Sequence, residues 1–141
     1  MEENMAIELR EYTTYIEEEV LPLYKSVGWS LYVNQPEKLK QAYEHSLHVI
    51  GAYDGERLVG LIRVVGDGVS IIFIQDLLVH EEYHRQGIGT QLIVAILEKY
   101  KEVRQKALLT DDFHAQKAFY RKAGFMPISE TKGICFVNYT F

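Results

Sequence analysis

Hydrophobic and polar positions alternate and then cluster along the chain in a way that predicts a mixed α/β order. Ala6-Ile7-Glu8-Leu9-Arg10 alternates apolar and polar residues, the pattern of a short half-buried strand. From Tyr12 to Trp29, Tyr15, Ile16, Val20, Leu23 and Val27 recur at helical spacing, and Pro22 predicts a helix that kinks or starts late. Pro36 suits a first helical turn, so a second helix is expected through Leu39 and Tyr43. Leu47 to Tyr53, Leu58 to Val65 and Val69 to Val79 are rich in Val and Ile and read as strands. Asp54-Gly55 and Asp67-Gly68 separate them, and Asp-Gly with positive φ at both central residues is a strong hairpin signal. Ile88, Leu92, Ile96 and Tyr100 then mark a helix, with Ile93 and Leu97 beside them. Val103 to Thr110 reads as a strand. Asp111-Asp112 offers an N-cap for a helix with Ala115, Ala118, Phe119 and Ala123 on its buried face, and Gly124 stops it. Phe125 to Ile128 and Ile134 to Phe141 are expected as two closing strands. The predicted fold class is α/β, a mostly antiparallel central sheet flanked by about four helices in the order β-α-α-β-β-β-α-β-α-β-β.

Composition narrows the classes. A chain of 141 residues with 48% hydrophobic and 25% charged residues suits one soluble domain over 1–141. The formal net charge of −5 argues against a nucleic-acid binder held by bulk electrostatics and against a basic membrane-surface segment. The excess is local: Met1 to Glu19 hold seven acids and one base, read either as a solvated helix face or as a surface that attracts amines. Cys135 is the lone cysteine, so no intramolecular disulfide or cysteine-cluster metal site is expected, and Ile134-Cys135-Phe136-Val137 predicts a small buried hydrophobe. No apolar run approaches the roughly 18 residues of a membrane span. Met1-Glu2-Glu3-Asn4 lacks the basic start of a signal peptide, and a cytoplasmic location is the expectation.

The most informative stretch is His84-Arg85-Gln86-Gly87-Ile88-Gly89-Thr90, where a strand feeds a helix through closely spaced glycines. Such a junction exposes backbone N–H groups without helical partners at the positive end of the helix dipole, an arrangement suited to a phosphate or pyrophosphate. Glycine at 87 and 89 would let a ligand approach where a Cβ would stand in the way; tight packing is the alternative. No Gly-Lys-Ser/Thr follows, so this is not a nucleotide P-loop. A dinucleotide fingerprint would need a third glycine and an N-terminal parallel unit.

About thirty residues on stands Phe119-Tyr120-Arg121-Lys122-Ala123-Gly124-Phe125. Together the two segments resemble the GNAT superfamily of N-acetyltransferases. Its signature Gln/Arg-x-x-Gly-x-Gly/Ala is matched by His84 to Gly89, its Phe-Tyr-x-x-x-Gly-Phe by Phe119 to Phe125, and its Leu-x-Val strand ending by Leu77-Leu78-Val79. The resemblance implies acetyl-CoA as co-substrate and no metal. It implies that the backbone of Leu78 and Val79 pairs with the pantetheine amides and that N–H groups of His84, Arg85, Gln86, Gly87, Ile88, Gly89 and Thr90 hold the pyrophosphate. It also implies that the hydroxyl of Tyr120 protonates the departing thiolate, a role suited to a phenol that stays protonated at neutral pH. The alternative is that Tyr120 is one of ten tyrosines on an amphipathic helix. His84 replaces the usual Gln or Arg, and Phe113 and His114 stand where the family often has Asn. Lys117, Arg121 and Lys122 read either as contacts to the CoA 3′-phosphate or as a solvated helix face.

The attacking amine must lose a proton. Asp76, three residues before Val79, is the candidate base or ammonium partner, directly or through water, and matches an acidic position of some members; an inward cap of loop N–H groups is the other reading. Gln75 could orient water. His80, His84 and His114 are weaker candidates. Trp29 and Tyr32 lie where the family's substrate wall forms, as a wall that stacks on a cation or as core. The expected function is direct acetyl transfer to a primary amine of a small molecule, with homodimerisation left open. The rivals are a protein or peptide N-acetyltransferase and a non-catalytic CoA-binding sensor.

Overall fold

A computed structural model describes residues 6–140; the acidic start Met1 to Met5 and the last residue of the expected closing strand, Phe141, lie outside the described residues. The chain divides by internal contacts into two compact units, Met1–Leu109 and Thr110–Phe141.

The first unit holds a five-stranded sheet in the order β1-β2-β3-β4-β5. The strands are β1 Ile7–Glu11, β2 His48–Asp54, β3 Arg57–Gly66, β4 Ile71–Val79 and β5 Gln105–Leu108. Neighbours are antiparallel except β4 and β5, which run parallel. A parallel pair needs a crossover, here α4 Ile88–Lys99. Three helices stand between β1 and β2: α1 Glu17–Ser26, α2 Ser30–Val33 and α3 Pro36–Glu44. The sequence pattern predicts two there. The extra one is the single turn α2, too short to show helical periodicity. α1 starts late in the Tyr12–Trp29 stretch, at Glu17 as one of the two expectations had it, and runs through Pro22, while Pro36 occupies the first turn of α3 as expected.

Both faces of the sheet are covered, which is why β3 is buried nearly throughout and reads as a continuous apolar run. Adjacent residues on a strand point to opposite faces. A Cβ at Gly60 would meet Ile88 and Leu92, so α4 lies on that face. Leu61 belongs to the opposite cluster with Val20, Leu23 and Tyr24 of α1 and Leu39 and Tyr43 of α3. The hairpin between β2 and β3 differs from the expected Asp-Gly turn. Asp54 pairs with Arg57, so the central residues are Gly55 and Glu56, and only Gly55 has positive φ, at 62°. Gly at the first central position is the requirement of a type II′ turn. Glu17, Glu18 and Glu19 fill the first turn of α1, where negative charge complements the helix dipole.

The second unit, described by itself, holds α5 His114–Lys122 and a 3₁₀ turn at Ile128–Glu130. Gly124, with φ 101°, follows α5 as the predicted stop. Four expectations change here. The N-cap is Phe113, without a side-chain cap, and Asp112 instead pairs with Lys117 at 2.6 Å. Phe125 to Ile128 and residues 134–140 of the second expected strand are not strands: a strand needs a neighbouring strand to ladder with, and the described residues of this unit form none. For the same reason the α5 positions 115, 118, 119 and 123 are not fully buried within it, and Cys135 is exposed, not buried. Among the described residues no helix is long and apolar enough to cross a membrane.

Ile93 on α4 has no exposed surface. Ile93→Ala is expected to lower the unfolding free energy by about 2–5 kcal/mol, the usual range for such a cavity, as read from urea denaturation.

Candidate functional site

The parallel partnership of β4 and β5 runs from Ile71 opposite Gln105 to Ile74 opposite Leu108 and stops there. β4 continues to Val79, so within the first unit Asp76–Val79 is paired only on the β3 side. An open strand edge presents unpaired N–H and C=O groups and is a template for an added extended segment. At the parting point β4 carries a bulge. Arg63 pairs with Asp76 and the next residue, Val64, pairs with Ile74, so Gln75 is the extra residue and is exposed. Leu78 is buried, and Val79 half-buried.

Beyond Val79 the chain enters a 3₁₀ turn at Glu81–Tyr83. The Tyr83 hydroxyl donates to Asp54 Oδ2 at 2.6 Å, and the Arg57 guanidinium lies over the Tyr83 ring at 5.3 Å, tying the loop to the β2–β3 hairpin. His80 Nδ1 accepts the Glu82 N–H, so this imidazole shapes the turn. His84 Nε2 donates to the Val79 carbonyl at 2.6 Å. The imidazole thus braces the end of β4, a side-chain role beyond the backbone donation expected at that position. Arg85 has φ 64° and Gly87 φ 79°. A Cβ at Gly87 would meet nothing within 4 Å. Glycine suits the left-handed backbone there, and tight packing against the protein, the alternative reading, is not what places it. The first internal bond of α4 runs from Gln91 N–H to the Gly87 carbonyl at 3.0 Å. The N–H groups of Ile88, Gly89 and Thr90 precede it and have no helical acceptor. They stand at the positive end of a twelve-residue helix, which suits them to phosphate oxygens.

Asp76 is 2% exposed and does not cap loop N–H groups. Its Oδ2 accepts from Arg63 Nε at 2.7 Å and from the Tyr24 hydroxyl at 2.8 Å. Arg63, itself 4% exposed, also reaches Ser46 Oγ at 3.2 Å and lies over the Tyr43 ring at 5.4 Å. Burial works to lower the Arg63 guanidinium, but the adjacent Asp76 carboxylate outweighs it and leaves it raised. Desolvation, reinforced by the neighbouring Tyr43 and Asp76, pushes the Tyr24 phenol far above its ordinary value. The Tyr24 ring stands 5.8 Å from Trp29 and 5.1 Å from Tyr32, whose rings are 6.2 Å apart. Trp29 is 37% exposed. The structure thus brings Asp76, Trp29 and Tyr32 together through Tyr24, a residue the sequence analysis did not single out. Tyr24 left no signal, because its partner lies 52 positions away. Arg63 left one: a lone charge inside the apolar run Leu61-Ile62-Arg63-Val64-Val65 requires a buried partner.

Tyr120 belongs to the second unit and is described within it. Its ring contacts Phe119 at 5.0 Å and Phe125 at 6.1 Å, and burial raises its phenol above the ordinary value. Arg121 pairs with Glu130, and His114 is exposed, as are Lys117 and Lys122. Among the described residues no cluster of three His, Cys, Asp or Glu side chains could hold a metal ion.

A strand edge free at Leu78 and Val79, followed by a glycine-started helix, is the arrangement the GNAT resemblance implies. Comparison with known proteins agrees: the family model described as an acetyltransferase (GNAT) domain matches residues 11–141. The chain belongs to the GNAT acetyltransferase family. Its sequence is 32% identical to the uncharacterized N-acetyltransferase ycf52 of Porphyra purpurea over 77% of this chain and 63% of that protein. It is 30% identical to a ycf52-like N-acetyltransferase of Prochlorococcus marinus over 76% of this chain and 61% of that protein. The chain thus spans somewhat over three-fifths of the length of these curated relatives. A GNAT-family acetyltransferase of Streptococcus pneumoniae superposes with a TM-score of 0.83 at 40% identity, over 96% of this chain and 100% of that one.

Removing one member of a buried ion pair leaves the other uncompensated. Asp76→Ala is expected to cost about 3–5 kcal/mol of unfolding free energy. Replacing both partners together, Asp76→Leu with Arg63→Met, should recover most of that loss in the same denaturation experiment.

Proposed function

We propose that the protein is an acetyl-CoA-dependent N-acetyltransferase that acts on a primary amine of a small molecule. The observation that carries this reading is the open β4 edge, Asp76–Val79, leading directly into the uncapped N–H groups of α4. The edge suits the amides of an extended pantetheine arm, with Leu78 and Val79 supplying the backbone partners and the Val79 carbonyl shared with His84. The pyrophosphate falls to the backbone of His84, Arg85, Gln86, Gly87, Ile88, Gly89 and Thr90. Backbone donors and a helix terminus do this without a basic surface, consistent with a chain of net charge −5. When bound, acetyl-CoA supplies an acetyl group activated as a thioester.

Two proton movements fall to this chain. The acceptor ammonium gives up a proton toward Asp76, through a water that Gln75 helps orient, and its freed lone pair attacks the thioester carbonyl. A C–N bond forms, the C–S bond breaks, and the departing thiolate takes the proton of the Tyr120 hydroxyl, while the second proton that the nitrogen sheds on becoming an amide passes through water to restore the phenol. Burial keeps that phenol protonated above its ordinary range, so it is present as an acid throughout the working pH range. Trp29 and Tyr32 form the aromatic wall against which the cation lies. Most of the rate comes from positioning two substrates, with no acyl-enzyme and no role for Cys135.

The experiment is a thiol-release screen with acetyl-CoA against polyamines, amino acids, aminoglycosides and short peptides. A small amine is expected among the substrates. Turnover of peptides alone would replace the small-molecule reading, and tight acetyl-CoA binding without turnover of any amine would leave a sensor. Tyr120→Phe is expected to lower kcat by an order of magnitude or more while acetyl-CoA still binds in calorimetry; unchanged turnover would remove Tyr120 from the mechanism. Because the phenol is raised, activity that depends on it should persist to about pH 10 and fall only above that. An alkaline limb well below pH ~10 that vanishes in Tyr120→Phe would contradict the assigned environment.

A further inference from the structure

Asp76 offers two carboxylate oxygens, and the structure uses them unequally. Both hydrogen bonds, from Arg63 Nε at 2.7 Å and from the Tyr24 hydroxyl at 2.8 Å, go to Oδ2. Among the described residues no hydrogen bond reaches Oδ1, and Oδ1 is not one of the sealed, unpartnered side-chain atoms, which are Tyr15 Oη and Gln116 Oε1. A side chain 98% removed from solvent therefore has one oxygen that takes no donor from the described residues and is not wholly sealed. The Tyr24 hydroxyl has a single proton and gives it to Asp76, so in its 2.9 Å contact with Tyr43 it must accept, and Tyr43 donates. The chain of bonds runs in one direction, from Tyr43 through Tyr24 to Asp76 Oδ2.

An Arg guanidinium is a fork that matches both oxygens of a carboxylate. Arg63 nonetheless engages Oδ2 alone through Nε and turns Nη1 toward Ser46 Oγ at 3.2 Å. The second donor on Oδ2 is Tyr24, whose ring stands beside Trp29 and Tyr32. We propose that Tyr24 is a positioning residue: its hydroxyl locks Oδ2 against Arg63 and so reserves Asp76 Oδ1 for the ammonium group of the acceptor, or for the water that takes its proton. This rests on the amine-acetylating reading above and adds the residue that sets the geometry of its base. Without the hydroxyl, the carboxylate is free to turn and give both oxygens to the guanidinium. The charged and titratable groups facing Asp76 are Arg63 from β3, Tyr24 from α1 and, one bond further, Tyr43 from α3.

The test uses the full chain and the amine that the screen above returns as the fastest substrate. Tyr24→Phe, checked for folding by its melting curve, is expected to raise KM for the amine about tenfold while leaving KM for acetyl-CoA within about twofold. Loss of a donor to the charged form also moves the acid limb of kcat/KM to higher pH, by about one unit. A 3-fluorotyrosine at position 24 keeps the shape and is a stronger donor, so it should move that limb the opposite way. The proposal is overturned if folded Tyr24→Phe keeps the wild-type amine KM and acid limb, or if both KM values rise together, which marks general damage. Titration of the Asp76 carboxyl by carbon-13 NMR needs no substrate: its midpoint should rise in Tyr24→Phe, and an unchanged midpoint would also overturn the proposal. Failure of the wild-type protein to acetylate any amine would instead remove the function proposed above.

Discussion

The ion pair between Arg63 and Asp76 is the contact around which the first unit is arranged. It joins β3 to β4 at the bulge, and its neighbours Tyr24 and Tyr43 bring in α1 and α3. A buried pair of this kind is a weak source of net stability, because desolvation offsets much of the attraction. Its effect is on geometry. Neither charge can leave its partner without being stranded in an apolar interior, so strand register, the tilt of α1 and the end of α3 are constrained together.

That constraint bears on the candidate site because of where the pair sits. One residue before Asp76, Gln75 is the unpaired bulge residue, and one residue before that, at Ile74, β4 loses β5. The bulge, the parting of the parallel strands and the buried carboxylate are thus three consequences of one short stretch. Past it, the edge of β4 is unpaired within the first unit, and the chain turns through two left-handed residues into α4. The acidic balance of the chain fits this arrangement. Glu17, Glu18 and Glu19 complement the dipole of α1, while an anion would be met by backbone N–H groups that carry no net charge.

Much of this was legible beforehand. The three central strands, the helix after Gly87, Pro36 at a helix start and Gly124 at a helix stop follow from local rules of φ and of apolar period. Other features were not. The turn residues of the first hairpin shifted by one because strand pairing, not the Asp-Gly dipeptide, set the register. The single turn α2 is shorter than one apolar period. The described C-terminal segments that form no strand show that β-propensity alone does not make one, because the neighbouring strand it needs is not encoded in the segment itself.

From the sequence alone came the order of elements from β1 to α5 apart from the single turn α2, the glycines that a left-handed turn demands, the family motifs and Asp76 as the carboxylate to watch. The tertiary structure decided what Asp76 is bonded to. Its partners lie 13 and 52 residues away, at Arg63 and Tyr24, and no local pattern links them. The physical reason is range: helical and strand periodicities report which face a residue turns to the core, whereas a buried charge is satisfied by whichever donors the packing of α1 and β3 brings within about 3 Å.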